Sequence, residues 1–255
     1  MDDIFKGARY LLQGLALLKT PGLRRYVAIP LIINSVLFSL LIYWLSSFAS
    51  DAVESLVDKL PDLLSFLYWL IMPAFVFILF FLSAYVFNIF ANFIAAPFNG
   101  LLAEKVESLR TGKSLSEPSS FRDFLKIVPH SLARELAKLK YYLPRVLALA
   151  TLTLISVVIS LIPIVGIIGP IIGLIASTAW FFWGAWMMTI QYMDYPMDNH
   201  QTNFEQLKGT VSQRRALSFG FGFSIVLTLS IPIINFVVMP AAVAGATLMW
   251  LEEHQ

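Results

Sequence analysis

Apolar residues recur at helical spacing from the first positions of the chain. Ile4, Phe5, Ala8, Leu11, Leu12, Leu15 and Leu18 fall on one side, and Lys6, Arg9 and Gln13 on the other. The spacing predicts an amphipathic helix over 3–18. It either rests in a lipid headgroup layer or packs against a partner subunit. A charge-free run follows over 26–50, long enough to cross a hydrocarbon core of about 30 Å, and predicts a first span over 22–50. Pro30 lies near its start, where a kink costs little. Asp51, Glu54, Asp58 and Asp62 then face the single cation Lys59. The next charge-free run, 63–103, exceeds a bilayer thickness at about 1.5 Å per residue. It predicts a second span that either continues beyond the membrane or bends at Pro73 or Pro97.

Residues 104–145 are polar and rich in cations: Lys105, Arg110, Lys113, Arg122, Lys126, Arg134, Lys138, Lys140 and Arg145. Within them, Gly112-Lys113-Ser114-Leu115-Ser116-Glu117-Pro118 reads as a turn and 121–143 as an amphipathic helix. Basic residues concentrate on the cytoplasmic side of membrane proteins. The pattern therefore places this region and both termini in the cytoplasm, with the acidic 51–62 segment outside.

The remaining apolar sequence forms two unusual hairpins. Residues 146–193 lack charge but are broken by Pro163, Gly166, Gly169 and Pro170; residues 216–251 also lack charge and are broken between Pro232 and Pro240. The arms at 146–162 and 216–231 reach roughly 24–26 Å, and the arm at 240–251 about 18 Å. Asn235 is the polar side chain in either turn. Short arms with apolar turns favour hairpins that enter the bilayer from the cytoplasm and turn inside it, which requires protein to cover the turns. Two full hairpin crossings are the alternative. A polar connection over 194–215, with a helix over 201–215, joins the hairpins. Trp180, Trp183 and Trp186, with Phe181 and Phe182, precede it as an interfacial aromatic anchor.

Composition agrees with this pattern. Hydrophobic residues are 58% of the 255 and charged residues 13%, against roughly 25% charged in soluble domains. The expectation is one all-α integral membrane domain over 1–255: two long transmembrane helices, two proline- and glycine-turned hairpins of partial depth, and amphipathic cytoplasmic helices. Asp2 and Asp3, with Lys6 and Arg9 interrupting the apolar residues near them, argue against a cleavable leader. Absent cysteine removes disulfides and thiolate chemistry. No motif for a nucleotide, a nucleic acid, a cofactor or a hydrolase nucleophile is present, and His130, His200 and His254 lie far apart. The string from Met193 to His200 reads as a polar connection in preference to a metal site, because no third strong ligand lies nearby.

Two groups of residues carry candidate chemistry. Thr20-Pro21-Gly22-Leu23-Arg24-Arg25 reads as a helix start, with Thr20 as cap and Pro21 in the first helical position. Unpartnered amides on Gly22, Leu23 and Arg24, the positive helix end and two guanidiniums would suit a tetrahedral dianion. Ordinary flanking charge of a membrane helix is an equal reading. The second group lies along the chain's polar stripe. Asn34 sits in the first span, and Asn88, Asn92 and Asn99 share one face of the second. They either line a wet path or hydrogen-bond between helices. Glu104, Lys105, Glu107 and Arg110 continue that helix, and Arg134, Glu135 and Lys138 occupy the next. These charges either ring an opening or form a solvated face.

Four strings together resemble the CysZ family of bacterial sulfate permeases. They are Leu18-Lys19-Thr20-Pro21-Gly22-Leu23-Arg24-Arg25-Tyr26; Ala95-Ala96-Pro97-Phe98-Asn99-Gly100-Leu101-Leu102-Ala103-Glu104-Lys105-Val106-Glu107; Glu135-Leu136-Ala137-Lys138-Leu139-Lys140-Tyr141; and Asp194-Tyr195-Pro196-Met197-Asp198-Asn199-His200. The resemblance spans nearly the whole chain. It implies an inner-membrane protein that brings sulfate into the cytoplasm for cysteine synthesis, assembled as a homo-oligomer of six subunits among membrane lipid. It carries a sulfate-binding motif onto Gly22, Leu23, Arg24 and Arg25. It carries a conducting path onto Glu104, Glu107, Arg110, Arg134 and Glu135, to which the stripe Asn88, Asn92 and Asn99 is joined. A membrane scaffold whose arginine pair binds lipid phosphate is the alternative. An intramembrane enzyme lacks a nucleophile and base placed together.

Overall fold

The computed structural model describes residues 2–57, 65–112, 121–163 and 165–254. Asp58, Lys59, Asp62 and the 113–118 turn lie outside the described residues, as do the side chains of Asp51, Glu54, Asn88 and Asn235. The described residues form eight α-helices and no strand: α1 Asp2–Leu17, α2 Arg24–Val57, α3 Ser65–Thr111, α4 Phe121–Ser160, α5 Ile168–Asn199, α6 Phe204–Gln213, α7 Arg215–Leu229 and α8 Pro232–Glu253. Among the described residues, Arg24–Ser46, Leu125–Ser160 and Ile168–Asn199 are long and apolar enough to cross a membrane. The chain divides into two compact units, one of 1–27 with 96–255 and one of 28–95.

In the unit of 28–95, α2 and α3 contribute aromatic contacts such as Phe38 on Phe87, with ring centroids 5.0 Å apart. Asn34 Oδ1 is buried there without a hydrogen-bond partner. Helix α3 runs through both Pro73 and Pro97 without interruption.

The larger unit is built around α8. Every residue from Pro240 to Trp250 is buried, and α1, α5 and α7 pack around it. Small residues let the backbones approach. A Cβ on Gly14 would stand 2.0 Å from the Ala241 carbonyl oxygen, and one on Gly245 would stand 2.4 Å from that of Tyr10. Helix α1 is therefore docked on α7 and α8 of its own chain through Gly7, Tyr10, Leu11 and Gly14. This docking uses a largely different face from the one that the apolar spacing marks. Ile4, Phe5, Leu12 and Leu15 point outward. These residues leave an apolar face open outside the unit, while glycine, which scores as neutral, permits the close packing on the other side.

Several boundaries differ from the sequence pattern. The predicted helix over 121–143 and the arm over 146–162 are one helix, α4, with Pro129 and Pro144 inside it. The charges at Lys140 and Arg145 suggested a boundary, but they mark a change of surroundings and not a helix end. Pro240 likewise lies inside α8, which has 22 residues, or about 33 Å. The short 240–251 arm is corrected accordingly. Helix α5 continues to Asn199 and takes in the residues expected to begin the polar connection. The predicted 201–215 helix ends at Gln213, after a capping box between Asn203 and Gln206.

The α4–α5 hairpin is tight at its tip. Ser156 Oγ donates to the Gly169 carbonyl at 2.7 Å. Leu161 and Ile167 in the connecting turn are each 78% exposed. The aromatic run serves as packing on two sides. Phe181, Phe182 and Trp186 meet Phe219 and Phe223 of α7, while Trp183 meets Tyr141 and Tyr142 of α4.

Candidate functional site

The segment between α1 and α2 departs from the helix start read in the sequence. Gly22 has φ +96°, a left-handed backbone that a right-handed helix cannot include. The Leu23 amide donates to the Thr20 carbonyl at 3.3 Å, closing a turn. Thr20 is therefore not the cap and Pro21 not the first helical residue; α2 begins at Arg24. Leu23 is fully buried and pins the turn to the core. Arg24 and Arg25, both exposed, occupy the first helical turn, where amides lack partners four residues back. The Arg24 guanidinium donates to the Lys19 carbonyl at 3.2 Å, which uses one of five N–H groups. Arg25 lies over the Tyr26 ring, 4.8 Å from its centroid, and donates to its hydroxyl at 2.8 Å. Among the described residues other than its chain neighbours, none stands within 4 Å of where a Cβ on Gly22 would be. The four motif residues are thus brought together, with two exposed cations beside an unobstructed glycine.

The second group splits. Glu104, Arg134 and Glu135 line one cavity of about 190 Å³, together with His130, Asp194, Tyr195, Asp198 and Asn199. Arg134 pairs with Asp194 and donates to the Thr202 carbonyl at 3.0 Å. Its Nε lies 3.0 Å from Asp198 Oδ1, but without hydrogen-bond alignment, so that contact is electrostatic. Lys138 reaches Glu135 at 2.6 Å and Asp194 at 3.2 Å. The Tyr195 hydroxyl donates to Glu135 at 3.1 Å and takes hydrogen bonds from Gln191 and Asn99. His130 Nε2 is 3.0 Å from Asp198. Asn199 donates to the Gly100 carbonyl at 3.0 Å, which ties α5 to α3.

The other path candidates lie elsewhere. Glu107 is buried and pairs with His200, whose Nε2 is 2.9 Å from its carboxylate. Arg110 pairs with Glu252 at 2.9 Å. Asn92 belongs to the unit of 28–95.

The cavity's chemistry follows from its charges. Arg134 and Lys138 are spent on Glu135, Asp194 and Asp198, and Glu104 adds another carboxylate to the lining. At an effective dielectric of about 20, like charges about 4 Å apart repel by about 4 kcal/mol. As arranged, a dianion entering the cavity would compete with these carboxylates for both cations. Sequence reasoning treated Asp194, Tyr195 and Asp198 as connection. One signal was present: Gln191, Asp194, Tyr195 and Asp198 are spaced by three, four and seven, so they share one helix face.

A family model described as sulfate transporter CysZ/etoposide-induced protein 2.4 matches residues 10–240. The sulfate transporter CysZ of Pseudomonas fluorescens (strain Pf0-1) is 41% identical over 98% of this chain and 95% of its own. That of Pseudomonas aeruginosa (strain LESB58) is 41% identical over 97% and 95%. That of Vibrio parahaemolyticus is 40% identical over 98% and 95%.

Proposed function

Because the chain belongs to the sulfate transporter CysZ/etoposide-induced protein 2.4 family, we propose that it is a sulfate permease, not an enzyme, of the bacterial inner membrane. It is a multi-pass, all-helical membrane protein. One observation carries the reading: similarity to proteins named as sulfate transporters extends over 97–98% of the chain. Sulfate enters the cytoplasm, where its assimilation toward cysteine sustains the gradient.

The anion site is Gly22, Leu23, Arg24 and Arg25. The left-handed Gly22 turn supports it by starting α2 at Arg24, which sets both guanidiniums at the positive helix end. Its affinity is low enough for release, since a tight site would block conduction. The path runs through the cavity lined by Glu104, Arg134 and Glu135, beside Asn99. Its self-paired Arg134–Glu135–Asp194 section is a closed gate, and passage of a dianion requires that network to rearrange.

In the membrane, α2 and α3 span, while the α4–α5 and α7–α8 hairpins enter from the cytoplasmic side and turn within the bilayer. Both termini are cytoplasmic. The exposed apolar residues Leu161, Ile162, Val165 and Ile167 support coverage by other subunits, in a homohexamer. A strain unable to take up sulfate tests the proposal. Expression of this chain restores growth on sulfate as the sole sulfur source. Absence of growth, with the protein present in the membrane, overturns it.

A further inference from the structure

Arg25 and Tyr26 are neighbours at the start of α2, yet their side chains meet. Successive positions on an α-helix point about 100° apart and do not ordinarily face each other. Here the Arg25 guanidinium folds back over the Tyr26 ring, 4.8 Å from its centroid, and donates to the phenol oxygen at 2.8 Å. The surroundings of the two residues differ. Arg25 is exposed, whereas Tyr26 is 8% exposed and belongs to the core that also holds Leu18 and Leu23. A buried ring thus carries a cation that would otherwise sample many rotamers.

The consequence falls on the anion site. Helical side chains lean toward the N-terminus of their helix, so a guanidinium held at this position is directed toward the opening amides of α2. An unrestrained arginine loses rotamer freedom when it engages a ligand. Arg25 has given up much of that freedom beforehand. Arg24 is held separately, by donation to the Lys19 carbonyl at 3.2 Å. Both holding groups are neutral acceptors. They fix the guanidiniums without cancelling their charge, whereas Arg134 and Lys138 are held by carboxylates that compete with a dianion.

We infer that Tyr26 is a positioning residue: its ring and hydroxyl hold the Arg25 guanidinium in the pose that receives sulfate. The inference rests on the assignment of the anion site to Gly22, Leu23, Arg24 and Arg25. It adds a residue that acts on the ion through Arg25.

The test is the sulfate concentration that gives half-maximal influx into liposomes containing the full chain, for the parent, Tyr26→Phe, Arg25→Gln and the double variant. Tyr26→Phe keeps the ring and loses the hydroxyl. It raises that concentration about fivefold, within the range for coupled neighbours. In the Arg25→Gln background the same change has no further effect, because the group it positions is gone. The sulfate-induced rise in thermal midpoint gives the same comparison for any variant without influx. An equal penalty in both backgrounds marks a merely structural role and overturns the inference. An unchanged value in Tyr26→Phe, with Arg25→Gln still raising it, overturns the inference and leaves the anion site standing. A value unmoved by Arg25→Gln overturns the assigned site, and the inference with it.

Discussion

Lys138 on α4 reaches Asp194 on α5 at 3.2 Å, and neither side chain is more than 3% exposed. With Glu135 2.6 Å from the same ammonium, the charges satisfy one another inside the protein. Removing one member of such a pair leaves a buried charge uncompensated, at about 3–5 kcal/mol. Lys138→Met lowers the thermal midpoint of the detergent-solubilised protein markedly. Adding Asp194→Asn restores part of it, since one stranded carboxylate is removed. A midpoint unchanged by Lys138→Met shows that the pair contributes nothing to stability.

Glu253 makes stability depend on acid. Burial by itself would raise this carboxyl, but hydrogen bonds from Lys6, Tyr10 and Arg214 outweigh it and hold it at about 2, below its ordinary 4.5. Lys6 and Tyr10 each approach at 2.5 Å, and Arg214 bridges on to Asp3 at 2.7 Å. The unfolded chain binds the proton more readily, so stability rises with pH between these values. The contribution is fully present above about 4.5 and is lost as pH falls toward 2. Thermal unfolding across that window shows the slope, and Glu253→Gln flattens it.

Gly14→Ala tests the docking of α1. The added methyl would press on the backbone of Ala241 and Gly245, and overpacking of this kind costs about 1–3 kcal/mol. The expected outcome is faster proteolysis near the N-terminus, with α4 and α5 still protected. Protection equal to that of the parent protein shows that α1 does not pack through this seam.

Much of the architecture was legible because charge-free runs of membrane length and proline–glycine turns are local signals. Helix continuity was less so. Pro240 looks like a break, but it sits within α8, whose packing partners offset the lost backbone bond. The start of α2 was misread because Thr20-Pro21 is a good cap sequence, while the left-handed turn at Gly22 depends on burial of Leu23. In the cavity, Arg134 and Glu135 were identifiable as charges. Their partners on α5 were not, because Arg134 and Asp194 are 60 positions apart and no periodicity reports such a pairing.

The central claim is that sulfate crosses through this chain and is engaged by Arg24 and Arg25. Labelled-sulfate influx into liposomes containing the purified protein tests it most directly. The parent protein gives influx that protein-free liposomes lack, and Arg24→Ala with Arg25→Ala reduces it by at least tenfold, or about 1.4 kcal/mol, at equal reconstitution. Influx equal to that of protein-free liposomes contradicts the permease, and full influx in the double variant contradicts the assigned site.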